Sequence, residues 1–205
     1  GVHRGMQMPG TSKETVALGH GTLKVKQRAR RAGFPEPLSL RVHRAISWLG
    51  RAEVETSDAD VRFILLWIGF NAAYAGHIES ESDKERDGFA QFFQSLLKLD
   101  PNHRIYDAVW DRFSQEVRTL LANKYVFQPF WHHQNGVPGH ANWEDRLAAS
   151  QRDTQAAIAR FDTVRILRTV FDRLYVLRNQ LVHGGATWKS AVNRAQVRDG
   201  AAVLA

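Results

Sequence analysis

The sequence predicts an all-α fold, a helical bundle with one long aromatic-rich loop before its last core helix. Three observations predict it. Apolar residues recur at intervals of three and four in several segments, the period of one helix face. No segment shows the clear apolar/polar alternation of a half-buried strand. Residues 61–75 are apolar nearly all round, which suits a helix at the centre of a helical core.

Residues 1–37 hold six glycines, little apolar periodicity and the break Phe34-Pro35-Glu36-Pro37, so they read as a basic, mostly disordered tail. The folded domain is expected over residues 38–205. Leu38, Val42, Ile46 and Leu49 mark an amphipathic helix over 38–54. Ser57 and Asp58 offer an N-cap, and Asp60 an acidic first turn, for the apolar helix 61–75, which Gly76 would end. Residues 79–87 read as a charged linker. Phe89, Phe92, Phe93, Leu96 and Leu97 form the next stripe, and Pro101-Asn102 closes it. Ile105, Val109, Phe113, Val117 and Leu120 mark a helix ending near Asn123. Residues 124–149, with Tyr125, Phe127, Phe130, Trp131, Trp143, Pro129, Gly136, Pro138 and Gly139, read as the long aromatic loop. One helix of up to nine turns is expected over 151–183, its stripe running Ile158, Phe161, Val164, Leu167, Phe171, Leu174, Leu177, Leu181. Gly184-Gly185 supplies a left-handed stop. A further helix begins near Arg194, and the uncapped apolar end 201–205 suits a domain cut within an element.

The bulk numbers narrow the function classes. At 205 residues, 43% apolar and 24% charged, the chain fits one soluble globular domain. It has no cysteine, so it holds neither a disulfide nor a thiolate metal site. Its longest apolar run, residues 63–70, is too short to span a bilayer, and the N-terminal residues lack a signal-peptide stretch. A cytoplasmic protein without membrane contact is expected. The formal charge of +7 is unevenly spread: residues 1–37 carry Arg4, Lys13, Lys24, Lys26, Arg28, Arg30 and Arg31 against Glu14 and Glu36. Lys24, Lys26, Arg28, Arg30 and Arg31 are candidate binding residues for a polyanion such as RNA. A merely solvated tail explains the same charges.

The chemistry concentrates in residues 175–185. Of the nine histidines, only His183 has an arginine five positions before it. A guanidinium grips phosphate with a fixed fork of donors, and an imidazole moves protons near neutral pH. Asn179 and His183, four apart, share a helix face. Arg178 is offset from His183 by about 140 degrees, which a long side chain can bend to span. RNA carries its own nucleophile, the ribose 2′-hydroxyl. Its attack on the adjacent phosphate needs a base, an acid for the leaving oxygen, and positive charge on the phosphoryl oxygens. Two copies across a two-fold axis would supply both proton-transfer groups and two cations. The plain alternative is a helix-end histidine bonding the last carbonyls and an arginine on a solvated face.

The run Tyr175-Val176-Leu177-Arg178-Asn179-Gln180-Leu181-Val182-His183-Gly184 resembles the signature of the HEPN superfamily. That signature is an arginine, a polar residue beside it, and a histidine after four to six intervening residues; four intervene here. Trp67, Phe70, Asn71 and Tyr74 in the central helix, and the stretch Gly184-Gly185-Ala186-Thr187-Trp188, are similar to the Apea-like branch. The resemblance covers residues 38–205. It implies a bundle that dimerises beside the motif and metal-independent cleavage of RNA in defence, stress response or toxin–antitoxin systems. Arg178 and His183 would be catalytic, and Asn179 would position the phosphate or the histidine, with no cofactor. RNA, a second copy, and an antitoxin or other protein are the implied partners. Other relatives are non-catalytic interaction modules that bind protein or nucleic acid, which is the alternative reading here.

Other candidates are weaker. His132, His133 and His140 lack a defined metal spacing, with only Glu144 and Asp145 near, so an aromatic loop packing on the bundle accounts for them better. Phe130, Trp131 and Trp143 suit either stacking on unpaired bases or covering the core edge. No glycine-rich phosphate loop and no serine nucleophile elbow occur. Glu53, at the end of the first core helix, is a candidate supporting group.

Overall fold

A computed structural model of the chain describes residues 18–74 and 82–205, with the segment 82–87 given by its backbone. The elements run α1 (His20–Arg30), α2 (Glu36–Val54), α3 (Ala59–Tyr74), α4 (Ser82–Lys98), α5 (Arg104–Asp107), α6 (Ser114–Ala122), α7 (Gln128–Gln134), α8 (Trp143–Ala159), α9 (Thr163–Val182) and α10 (Arg194–Leu204). Tighter 3-10 turns at Arg31–Gly33, Lys124–Val126 and Ala191–Asn193, and a π-helical turn at Ala108–Arg112, join some of them. No strand occurs among the described residues, and the all-α expectation holds.

α3 and α9 form the centre. Phe63, Leu66, Trp67 and Tyr74 of α3 are buried, as are Ile166, Val170, Leu174 and Leu177 of α9. The helices run antiparallel, because Trp67 meets Tyr175 at 6.3 Å between ring centroids while Phe70 meets Phe171 at 4.5 Å. Phe93 of α4 closes on Phe171 at 4.7 Å. Each such aromatic contributes about 1.5–3 kcal/mol on full burial. The antiparallel pairing brings the start of α3 beside the end of α9, where the candidate site lies. α10 packs against α3 and α9 through Gly200, where a Cβ would stand 2.9 Å from Leu174 Cδ2 and 3.0 Å from Phe63 Cε2.

Four expectations are corrected. Residues 20–33, read as part of a disordered tail, are helical. α1 packs on α2 with Gln27 buried, and its first backbone N–H, on His20, donates to Glu53 Oε1 at 2.8 Å. Gly50 makes room for the His20 ring, since a Cβ there would lie 2.5 Å from His20 Cδ2. Packing on α2 holds this helix, so its own periodicity is weak. The charged linker is the start of α4 from Ser82 onward; residues 79–81, and the stop expected at Gly76, lie outside the described residues. Lysine, glutamate and arginine favour helix, so a charged run does not by itself break one.

The long aromatic loop is largely helical as well. Pro129 stands in the first turn of α7, where its missing N–H has no helical partner to lose. Irregular backbone is confined to a short stretch after Gln134, with Gly136 and Gly139 at positive φ. Finally, the expected nine-turn helix is two helices. Phe161 takes φ 53° and closes α8, with Asp162 N donating to Ala157 O at 2.9 Å and Phe161 N to Ile158 O at 3.1 Å. Asp162 then caps α9 by accepting from Arg165 N at 3.1 Å.

Candidate functional site

The last two turns of α9 carry Tyr175, Arg178, Asn179 and Gln180, and His183 is the residue that closes the helix. Its N–H donates to Asn179 O at 2.9 Å, and its side chain is exposed. Gly184 follows at φ 71°, the left-handed stop its position predicts. The imidazole is neither buried in the bundle nor tied to a backbone carbonyl within it.

Arg178 is half-buried, and its head does not point straight out from its own position. Nη1 donates to Asn179 Oδ1 at 2.7 Å, and the guanidinium carbon lies 5.7 Å from the Tyr175 ring centroid. Take Arg178 as zero on the helix wheel. At about 100 degrees per residue, Tyr175 lies near 60 degrees, Asn179 near 100 and His183 near 140. Both contacts therefore draw the guanidinium round the helix toward the histidine side. Asn179 serves the arginine, and the structure places no contact between its side chain and His183.

Two tethers fix this end of α9. On one side Gln180 Nε2 donates to Tyr125 O at 2.7 Å, and Trp131 Nε1 donates to the same oxygen at 2.8 Å. The aromatic segment leading into α7 is thereby tied to α9. On the other side the segment after Gly184 is clamped to the start of α3. Trp188 Nε1 donates to Asp58 Oδ2 at 2.6 Å, Lys189 N to Asp60 Oδ2 at 2.8 Å, and Arg194 Nη2 to Asp60 Oδ1. Asp60 is only 6% exposed. The backbone N–H of Val61 and the Trp188 indole hold the Asp58 carboxyl below its ordinary range. Sequence reading saw Asp58 and Asp60 as helix-cap residues only. Their partners stand about 130 positions away in the chain, which no local pattern signals.

Val182, just before His183, is 52% exposed, and Trp188, five positions after it, is 69% exposed with Lys189 Nζ 4.6 Å from its ring centroid. The other candidates lie elsewhere. Lys24, Lys26, Arg28 and Arg30 are on α1, and Arg31 is at its end. The contact between His20 and Glu53 sets α1 antiparallel to α2, so Arg28, Arg30 and Arg31 sit at the far end of α2 from Asp58. The 19 residues of α2 span about 28 Å. Arg28, Arg30 and Arg31 are thereby carried away from Arg178 and His183, with Lys24 and Lys26 midway along α1. Glu53 is likewise committed to the start of α1.

Trp67, Phe70 and Tyr74 are core aromatics, in mutual contact with Tyr175, Phe171 and Phe89. Phe130 is buried against Trp131 and Trp143, so these rings cover the core edge. His132 and His140 touch each other, with ring nitrogens 3.2 Å apart, and both line a cavity shared with residues of α7, α8 and α9. Among the described residues no group of three or more His, Asp or Glu side chains is placed to hold a metal, and no helix is long and apolar enough to cross a membrane. Comparison with known protein families, with curated proteins and with solved structures finds no match for this chain.

Proposed function

We propose that this chain is a metal-independent endoribonuclease of the HEPN type, acting in the cytoplasm as a symmetric dimer in a defence, stress or toxin role. The observation that carries the reading is the Arg178 head, turned by Asn179 and Tyr175 toward the side of α9 that bears the exposed His183. In the reaction, Arg178 stabilises the charge that grows on the phosphoryl oxygens as the 2′-hydroxyl attacks. His183 transfers protons to or from the reacting oxygens. Asn179 holds the guanidinium in place. One imidazole per chain is a single proton-transfer group, whereas cleavage uses a base and an acid, so a second copy completes the site. Val182 and Trp188, exposed apolar residues close to His183 in sequence, are the kind of surface such a copy covers. Arg28, Arg30 and Arg31, at the far end of α1, would hold the strand away from the cleaved bond.

The test is product chemistry. The purified chain, incubated with RNA in excess chelator, is expected to yield 5′ fragments ending in 2′,3′-cyclic phosphate. Products ending in 3′-hydroxyl, or cleavage abolished by the chelator, would overturn the reading. The second reading, a non-catalytic module that binds an antitoxin, another protein or RNA, rests on the same exposed Trp188 and Val182. Tight binding of RNA or a partner with no cleavage of any RNA by a dimeric preparation favours it.

A further inference from the structure

The cavity beside α7 has a volume of about 330 Å³ and is lined by Phe127, Gln128, Pro129, His132, His140, Arg146 and Asp172. Its polar side chains form a chain of contacts. Arg146 Nη1 lies 3.0 Å from His140 Nδ1, His140 Nε2 lies 3.2 Å from His132 Nδ1, and His132 Nε2 lies 3.1 Å from the Gln128 amide. Arginine only donates, so His140 Nδ1 accepts. The His140 proton then sits on Nε2 and is donated to His132 Nδ1. That leaves the His132 proton on Nε2, facing the Gln128 amide, whose oxygen accepts it once the amide is turned by half a rotation. In this arrangement one proton is shared between the two rings, and the Arg146 guanidinium stands behind them.

Two imidazole nitrogens 3.2 Å apart also invite a metal, but the group behind them argues against one. A metal-bound histidine donates its outer N–H to an acceptor. Here the outer nitrogen of His140 meets a guanidinium, which cannot accept. An arginine and two nearby imidazoles are instead the donors that a tetrahedral oxyanion takes.

We propose that His132, His140 and Arg146 form a binding site for a phosphate group. When the pair takes up a further proton its shared hydrogen bond has no acceptor left. The two N–H groups separate and, with Arg146, face the anion. Several charged groups set the pH range. Burial, and then the charges of His132, Arg146 and His133, hold His140 below its ordinary value in the empty site. Asp172 of α9 lines the cavity and opposes the anion, while Glu144 and Asp145 stand exposed beside Arg146 on the first turn of α8. An anion in the cavity offsets the repulsion between the protonated pair and Arg146, so binding takes up a proton and strengthens as pH falls. The site contains neither Arg178 nor His183 and does not depend on their role.

The experiment is a titration of the intact chain with inorganic phosphate, followed by the imidazole nitrogen resonances of His132 and His140. Sulfate serves for the pH series because its charge stays constant. Both histidines are expected to shift with phosphate, and sulfate affinity to rise about tenfold between about pH 8 and about pH 6. Arg146→Gln and His132→Gln should each weaken binding about tenfold, the loss of one charge-assisted hydrogen bond. A single-stranded RNA oligonucleotide that displaces phosphate names the strand backbone as the source of the group, and failure to displace it names a free phosphate compound. Resonances of His132 and His140 that ignore phosphate, or that answer to zinc ions alone, overturn the proposal. So does unchanged affinity in Arg146→Gln with the fold intact.

Discussion

Asp60 is the residue on which the segment after His183 depends, and its removal has a calculable effect. Its carboxylate accepts from the backbone N–H of Lys189 and from the Arg194 guanidinium, and it is nearly buried. Asp60→Ala deletes both bonds and leaves the Lys189 N–H without its partner. The backbone bond is worth about 1 kcal/mol and a bond to a charged group about 1.5–3 kcal/mol. The Arg194 side chain is 34% exposed and keeps Ser190 O and Asn193 Oδ1, so water and these partners soften the loss. The expected cost is about 2–3 kcal/mol, a large share of the about 5–15 kcal/mol that stabilises a domain. Asp60→Asn keeps an acceptor for Lys189 and loses the charge, so about half that cost is expected. Urea unfolding at neutral pH measures the totals, and amide hydrogen exchange at Lys189 and Val192 shows where protection is lost. If Asp60→Ala costs under about 0.5 kcal/mol and exchange in that segment is unchanged, the clamp is not what holds it.

Other outcomes follow from the same structure. Gly88→Ala places a Cβ 1.9 Å from the Tyr74 hydroxyl oxygen, whose ring is locked among Phe70, Phe89 and Phe92, so about 2 kcal/mol of destabilisation is expected. A double-mutant cycle with Tyr74→Phe should return a coupling of about 1 kcal/mol, and simple additivity would refute the clash. Asp58, held below its ordinary pKa, gives stability that is present at neutral pH and lost as pH falls through its folded value. The thermal midpoints of wild type and Asp58→Asn should therefore converge below about pH 4, and a gap constant with pH counts against the Trp188 contact. His140, also held low, resists a proton that the unfolded chain accepts. Without phosphate or sulfate, stability should fall as pH drops below about 6.5, and His140→Gln should flatten that fall; equal slopes would argue against it.

The central helices were legible because their burial is written in one local pattern. Residues 61–75 are apolar nearly all round, and from Arg62 to Tyr74 no residue of α3 is exposed; the stripe from Val164 to Leu181 names the core face of α9. Gly184 was legible for a similar reason, since a helix end needs a left-handed residue there. What stayed hidden depends on partners distant in sequence. Nothing inside α1 announces a helix, because Glu53 and Gly50 of α2 make its seat. The break at residues 160–162 was masked because Phe161 falls in phase with the apolar stripe. It is nonetheless 58% exposed, packed against Trp110, and carries no glycine or proline signal. Pro129 was read as a loop marker where its place in a first helical turn is equally natural. At the site, the identities and spacing of Arg178, Asn179 and His183 were visible. The turn of the guanidinium toward Asn179, the Asp60 clamp and the His132–His140 contact needed the folded chain.

The rate of RNA cleavage in chelator by wild type, Arg178→Ala and His183→Ala, at matched unfolding midpoints, bears most directly on the proposed activity. A loss of about 100-fold or more in each variant is expected, the usual scale for a proton-transfer group or a charge-stabilising donor. Cleavage at the wild-type rate by both variants would contradict it.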